Sequence, residues 1–280
     1  MARRKTNTQM FALPALPPDE LAMGAARYRL TMVFKHDFYA ATCLYEASLD
    51  APGASATMPK IVVKFYRTQP FCGFPMAWLG RFSRDHERAI YQLLAGVPGL
   101  PRWAGAIGPA GFAIEYIEGA PVDQVSPLPA GFFDRLREIF DAVHARGVAY
   151  VDANKRSNIL VGPGERAFLI DFQIALRRRD DWPWPLRALL ARWVRALQEK
   201  DLYHLYKHKR RLAPEELTGE EEKLSRLRGF WHWAHSRLIK PYKAVRRGFL
   251  ARQHRAGRLA SPTAELETHP QPEKDTWRED

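Results

Sequence analysis

Apolar residues in the first 117 positions tend to alternate with polar ones over short runs, which is the pattern of β-strands. These runs predict strands over residues 28–34, 42–48, 61–66 and 112–117. Among them, residues 82–94 carry apolar side chains at helical spacing and predict one helix, which Gly96 and Pro98 end. The first part of the chain is therefore expected to be rich in β-structure.

The second part of the chain has mainly helical periodicity. Residues 132–144 predict an amphipathic helix, and residues 159–161 and 168–170 flank a Gly-Pro-Gly-Glu turn that predicts a hairpin. After residue 177 the pattern is helical, with two apolar stripes: Leu186, Leu189, Leu190, Trp193, Val194 and Leu197, then Leu224, Leu227, Trp231, Ala234 and Leu238. Strands before helices indicate an α+β fold with a small β-rich lobe and a larger helical lobe.

Composition changes along the chain and suggests where these parts end. We expect a flexible N-terminal segment over residues 1–25, a β-rich lobe over 26–117, a helical lobe over 118–260 and a disordered acidic tail over 261–280. The two cysteines, Cys43 and Cys72, form neither a CxxC pair nor a His/Cys cluster, so a zinc site has no support. No long uncharged apolar run predicts a signal peptide or a membrane span.

The net charge of +12 is unevenly distributed. Residues 177–258 carry 22 Lys and Arg against 9 Asp and Glu, whereas residues 261–280 carry 2 against 6. Such a basic region favours an anionic partner, namely membrane phospholipid, a phosphorylated glycan or nucleic acid; the alternative is a set of solvated helix faces. The region holds no nucleic-acid reader motif, so nucleic acid is disfavoured.

Three polar side chains near the predicted hairpin suggest phosphate chemistry. Asp152 and Asn158 lie six residues apart just before the first hairpin strand, and Asp171 follows the second. Phosphoryl transfer from ATP needs a carboxylate for the acceptor hydroxyl, oxygen ligands for Mg²⁺ and a cation on the phosphates. The hairpin is expected to place Asn158 beside Asp171, with Asp152 at its mouth.

This pattern resembles the protein-kinase-like superfamily, whose catalytic loop reads Asp-x-x-x-x-Asn and whose metal motif is Asp-Phe-Gly. The resemblance implies ATP and Mg²⁺ as cofactors, with Asn158 and Asp171 as metal ligands. Lys64, at the end of Val-Val-Lys, resembles the lysine that contacts the phosphates, and Glu87 resembles its ion-pair partner. The sequence Glu-Tyr-Ile at 115–117 resembles the hinge that binds adenine, which makes Glu115 and Ile117 candidate nucleotide contacts.

Three departures distinguish this chain from conventional protein kinases. The turn between the first two strands, residues 35–42, lacks GxGxxG; Lys35 and Thr42 are its candidate phosphate contacts, and an ordinary hairpin turn is the alternative. The catalytic loop is one residue longer, with Asn154 and Lys155 as further candidates. Gln173 stands in place of the motif glycine, which is expected to stiffen the segment after Asp171.

These departures resemble bacterial proteins grouped with lipopolysaccharide core kinases and atypical Ser/Thr kinase-like proteins. The resemblance implies a kinase acting on a hydroxyl acceptor such as a lipid-linked saccharide. The alternatives are a Ser/Thr protein kinase and a pseudokinase that serves as a membrane-surface adaptor. We expect a cytoplasmic location, with peripheral attachment to the inner face of the membrane if the basic region meets lipid. The acceptor and the oligomeric state stay undetermined from the sequence.

The tryptophans of the basic region allow two interpretations. Trp182, Trp184, Trp193, Trp231 and Trp233 lie among arginines and lysines, a mixture that suits the lipid headgroup zone. Because Trp193 and Trp231 fall inside apolar stripes, core packing is the other interpretation. The basic run 207–211 is likewise either a phosphate-recognition patch or a solvated helix end.

Overall fold

The computed structural model describes residues 8–48 and 58–226, together with Gly248, Arg252, Thr263 and Leu266. The chain divides into two compact units. The first comprises Met1–Asp85, Ala104–Tyr116 and Arg228–Asp280, and the second comprises His86–Trp103 and Ile117–Leu227.

A six-stranded sheet forms the first unit. Its strands are β1 (Glu20–Met23), β2 (Ala26–His36), β3 (Ala40–Ala47), β4 (Lys60–Tyr66), β5 (Trp103–Ile107) and β6 (Gly111–Glu115). They lie in the order β1-β2-β3-β4-β6-β5. Helix α1 (Ala77–Leu93) begins in this unit and ends in the second. β-branched and aromatic residues with alternating burial, as in Lys60–Tyr66, explain why these segments form strands.

The two faces of this sheet differ in chemistry. Cys43, Val63 and Ala113 are paired across β3, β4 and β6, and all are fully buried in the unit's hydrophobic core. One residue further along β4, the pairing brings Lys64 to the opposite face. The sheet therefore packs its core on one side and carries polar candidate residues on the other.

Helices and short strand pairs form the second unit. They are β7 (Ala120–Pro121), α2 (Phe132–Ala145), β8 (Val148–Ala149), β9 (Ile159–Val161), β10 (Ala167–Leu169), β11 (Leu176–Arg177), α3 (Trp184–Leu212) and α4 (Gly219–Arg226). The predicted hairpin is confirmed, because β9 and β10 pair antiparallel with Leu169 opposite Ile159. The predicted amphipathic helix is α2, whose apolar face, including Phe133, Leu136 and Phe140, is buried.

The predicted α+β class is confirmed, with a β-rich unit followed by a mainly helical one. Strands β1 and β5 were not predicted, and α1 begins five residues before the predicted start. Within the segment expected to be flexible, β1 pairs with β2, and Phe11 and Ala12 are buried. Most of the second apolar stripe and of the acidic tail lies outside the described residues.

Candidate functional site

Four predicted residues of the second unit come together at the mouth of the β9–β10 hairpin. Asn158 Nδ2 donates a hydrogen bond of 2.9 Å to Asp152 Oδ2. Lys155 Nζ lies 3.9 Å from Asp152 Oδ2 and 3.9 Å from Asp171 Oδ2. One ammonium thus bridges two carboxylates that are each about one quarter exposed, which leaves this cluster accessible from solvent.

The hairpin explains why Asn158 and Asp171 become neighbours. Asn158 precedes β9 directly, and its carbonyl accepts a hydrogen bond of 3.0 Å from the amide of Ile170, just after β10. Asp171 then adopts a φ of 65°, which is uncommon for a residue other than glycine. Gln173 has no positive φ, so the glutamine in place of the motif glycine is accommodated without strain of that kind.

Tyr150 lies beneath the cluster and fixes part of it. Its ring is fully buried, and its hydroxyl donates to the Ile170 carbonyl while also contacting the Asn158 side chain. Burial raises the pKa of Tyr150 well above its ordinary value, and the charges of Asp171 and Asp152 add to this shift. The phenol therefore stays protonated and acts as a neutral support.

Helix α3 holds the loop in front of Asp152, a feature that sequence analysis missed. Asp201 is fully buried and accepts hydrogen bonds from the amides of Tyr150 (2.7 Å) and Val151 (2.8 Å). His144 lies 3.2 Å from the same carboxylate. Burial raises the pKa of Asp201, which the hydrogen bonds from His144 and the two amides oppose.

Four side chains of the basic run 207–211 have partners within the second unit. Lys207 binds Asn154 Oδ1 at 2.9 Å, and His208 binds the Ala153 carbonyl at 3.0 Å. Lys209 is buried and binds Asp134 and Glu221, and Arg210 binds Ser225. Most of these side chains therefore join α3 to other parts of the second unit.

Three predicted nucleotide contacts form one row across the sheet of the first unit. The strand register pairs Lys35 with Thr42 and Thr42 with Lys64. Residues that are paired across neighbouring strands point to the same face, so these side chains share a face of the sheet. Lys64 is only 5% exposed, a degree of burial that an ammonium rarely has without anionic partners.

The turn between β2 and β3 is closed by its own carboxylate. Asp37 Oδ1 accepts hydrogen bonds from the amides of Tyr39 (2.8 Å) and Ala40 (2.9 Å), and Asp37 Oδ2 lies 2.6 Å from Lys35 Nζ. This is the geometry of an ordinary hairpin turn with an Asx-type hydrogen bond. The amides of Tyr39 and Ala40 are thus occupied by Asp37.

An apolar row lies next to the Lys64 row on the same face, and it was not predicted. In this row, Leu44 pairs with Val62, and Val62 pairs with Ile114. Each of these residues lies two positions along its strand from a residue of the Lys64 row, namely Thr42, Lys64 and Phe112. This row places apolar side chains beside a cation, and Leu44 and Ile114 are buried.

The predicted hinge spans the end of the first unit. Glu115 ends β6 and pairs with Ile61, the ring of Tyr116 stacks on that of Phe34, and Ile117 is the first residue of the second unit in this part of the chain. Glu87 is fully buried on α1, in the second unit. Its ion pair with Lys64 stays a prediction.

The residues at the hairpin fit a magnesium ion that arrives with a nucleotide. Asn158 donates from Nδ2 to Asp152, so its Oδ1 lies on the other side of the amide and can coordinate a cation. Asp171 adds a carboxylate. One carboxylate and one amide suit Mg²⁺, which keeps waters and phosphate oxygens as its other ligands. Among the residues that the structure describes, no group of three or more His, Cys, Asp or Glu side chains could hold a metal alone.

The first half of α3 is mostly exposed, although Val194 is buried. Trp184 is 72% exposed, Leu186 51% and Leu189 55%, while Trp193, which core packing would bury, is 46% exposed. Arg179 stacks over the ring of Trp182. Within the described ranges, no helix has the length and apolar character needed to cross a membrane.

Comparison with known proteins gives a likeness of fold. No protein-family model matches the chain, and no curated protein matches it in sequence. It is similar to a crystal structure of the Rio2 kinase–ADP/Mg²⁺–phosphoaspartate complex from Chaetomium thermophilum, with a TM-score of 0.48, 15% identity and coverage of 72% of this chain. The chain spans 58% of that kinase chain. Such a likeness carries no conclusion about activity, so function has to be argued from the residues of this chain.

Proposed function

We propose that this chain is an ATP-dependent phosphotransferase, a kinase that transfers the γ-phosphate of ATP to a hydroxyl acceptor. The observation that carries the proposal is the cluster at the hairpin mouth, where Lys155 lies 3.9 Å from both Asp152 and Asp171 and Asn158 binds Asp152. Two carboxylates, an amide and an ammonium are the groups that phosphoryl transfer requires.

Each residue of the cluster has a role that follows from its atoms. Asp152 orients the acceptor hydroxyl or takes its proton, because its carboxylate is accessible and fixed by Asn158. Asn158 Oδ1 and Asp171 would hold Mg²⁺, which neutralises phosphate charge when it is bound with ATP. Lys155 supplies a positive charge between the carboxylates, where the transferred phosphoryl group would carry negative charge.

The first unit supplies residues that suit the rest of the nucleotide. Lys64 carries a buried positive charge for the phosphates, and Thr42 lies beside it in the same row. The apolar row of Leu44, Val62 and Ile114 suits the flat face of adenine. The main chain at 115–117 is the proposed contact for the adenine edge.

A lipid-linked saccharide at a membrane surface is the proposed acceptor, with a protein Ser/Thr hydroxyl as the alternative. Exposed Trp184, Leu186 and Leu189 stand near Arg187 and Arg192 in the sequence of α3. Apolar and cationic side chains on one helix segment suit the interface of an anionic bilayer.

A pseudokinase that works as a surface adaptor is the second candidate, and one observation favours it. In the turn at 37–40, two main-chain amides donate to the Asp37 carboxylate. A kinase needs such amides as donors to phosphate. An adaptor would bind nucleotide without turning it over, or would bind none.

The test is to compare the wild type, Asp171→Ala and Asp141→Ala. Asp141 is a matched control because it is an exposed carboxylate on α2 that pairs with Arg137. We expect Mg·ATP turnover in the wild type and in Asp141→Ala, and its loss in Asp171→Ala with the thermal unfolding midpoint preserved. Unchanged turnover in Asp171→Ala would remove the assignment, whereas a Mg²⁺-dependent ATP shift without turnover in the wild type would favour the adaptor.

A further inference from the structure

Lys207 and His208 of α3 contact the loop directly after Asp152. His208 Nε2 donates a hydrogen bond of 3.0 Å to the carbonyl of Ala153, and Lys207 Nζ donates one of 2.9 Å to Asn154 Oδ1. Two successive residues of a helix therefore hold two successive residues of the loop, one through its main chain and the other through its side chain.

The His208 ring is suited to a single protonation state. It is 2% exposed, and because a carbonyl only accepts, Nε2 carries the proton of the neutral ring. Nδ1 is buried without a hydrogen-bond partner among the described residues, so a second proton there would be unsatisfied. Burial, aided by the positive charges of Lys207, Arg156 and Arg211, lowers the pKa of His208 to about 4. The hydrogen bond to Ala153 is thus made by a neutral ring at physiological pH.

These contacts give Asp152 a fixed point on each side. Before it, the amide of Val151 donates to Asp201; after it, the carbonyl of Ala153 accepts from His208. Fixing the peptide groups on both sides restricts the rotation of the Asp152 backbone and so the direction of its carboxylate. A displacement of about 1 Å at a reacting group costs on the order of 100-fold in rate.

We propose that His208 is a positioning residue that sets the direction of the Asp152 carboxylate through the Ala153 carbonyl, with Lys207 holding the adjoining Asn154 side chain. Its kinetic consequence rests on the proposed phosphotransferase function. Its structural consequence, restraint of residues 150–158, is independent of that function.

The test compares His208→Gln, His208→Leu and the wild type. The glutamine amide places a donor at about the reach of Nε2, whereas leucine fills space without donating. We expect His208→Leu to speed hydrogen exchange of residues 150–158 by on the order of 10-fold while α2 is unchanged. Its kcat should fall by on the order of 10- to 100-fold with KM for ATP within about two-fold. In His208→Gln, the exchange rates of residues 150–158 and kcat should both return most of the way to the wild-type values.

His204→Leu is the matched control, because His204 is also buried on α3 about one turn earlier. This variant measures how much hydrogen exchange of residues 150–158 changes when a buried histidine of α3 is replaced without removing the hydrogen bond to Ala153. The proposal is overturned if His208→Leu exchanges like the wild type in 150–158, if His204→Leu speeds that segment equally, or if His208→Gln is as impaired as His208→Leu. If the wild type turns over no ATP, the phosphotransferase proposal fails and the exchange comparison still decides the positioning role.

Discussion

Asp201, a fully buried carboxylate on α3, accepts a hydrogen bond of 2.8 Å from the amide of Val151, whose φ of 73° is rare for a β-branched residue. Such a backbone conformation costs about 1–3 kcal/mol. A hydrogen bond to a charged acceptor contributes about 1.5–3 kcal/mol, which is enough to offset that strain. Asp201 therefore stabilises the backbone that presents Asp152.

Replacing Asp201 by asparagine should reverse this balance. An asparagine side chain has only one oxygen to accept hydrogen bonds. Its NH₂ group would therefore face the amide of either Tyr150 or Val151, and that amide would lose its acceptor. We expect Asp201→Asn to lower the free energy of unfolding by about 1–3 kcal/mol, measured as a shift of the urea midpoint at constant m-value. Glu199→Gln, an exposed neighbour on the same helix, is the control. Equal midpoints for the two variants would contradict the supporting role.

The sequence predicted what depends on local periodicity and missed what depends on tertiary contacts. The β9–β10 hairpin and α2 carry clear spacing signals, so their elements were found. Strand β1 is four residues long and is followed directly by Gly24, so it is too short to show alternation. Charged residues of α3 such as Asp201 read as a solvated face, although the structure buries them.

One signal could have revealed the role of α3. Val194, Gln198, Asp201, Leu205 and His208 recur at intervals of three and four and therefore share one face of the helix. Polar residues interleaved with buried apolar ones on a single face indicate polar groups that are satisfied inside the protein. Which loop they bind could not be read from spacing, because those contacts lie about 50 residues apart in the chain.

Lys64 is expected to be needed for turnover, whereas Lys60 is not. Both project from the same face of β4, but Lys64 is 5% exposed while Lys60 is partly exposed and pairs with Glu46. We expect Lys64→Met to reduce kcat/KM for Mg·ATP by on the order of 100- to 1,000-fold, the usual loss for a group that stabilises charge in the transition state. Lys60→Met should stay within about two-fold in the same steady-state assay. Similar values for both variants would refute a phosphate role for Lys64.

His208 should make the folded state sensitive to mild acid. Its pKa is lowered from 6.5 to about 4, so between these values the unfolded chain binds more protons than the folded chain and stability falls as pH falls. From pH 7.5 to 5.0 the loss from this group is about 2 kcal/mol. Lys207, Arg156 and Arg211 are the cations around the ring.

The measurement is urea unfolding of the wild type and His208→Gln at both pH values. Glutamine does not titrate, so the variant should lose about 2 kcal/mol less than the wild type on acidification. A pH dependence that is identical in the two proteins would show that the ring is not kept neutral by the fold.

The exposed first half of α3 should bind anionic lipid. Trp184, Leu186 and Leu189 present apolar area, and the same helix segment carries Arg187, Arg192 and Arg195. At about 1 kcal/mol for each basic residue near an anionic leaflet, three arginines favour binding by on the order of 100-fold. We expect the protein to co-sediment with vesicles of phosphatidylcholine and phosphatidylglycerol. At 0.5 M salt this binding should weaken, because the Debye length falls to about 3–5 Å and salt screens the arginine charges.

The matched variants separate this surface from general stickiness. Leu186→Glu with Leu189→Glu places negative charge where the bilayer would lie, so binding to anionic vesicles should fall by at least about 10-fold. Leu224→Glu changes an equally apolar, exposed residue on α4 and should leave binding intact. Because the proposal requires both charge and apolar contact at one place, equal binding to neutral vesicles, or equal losses in the α3 and α4 variants, would contradict it.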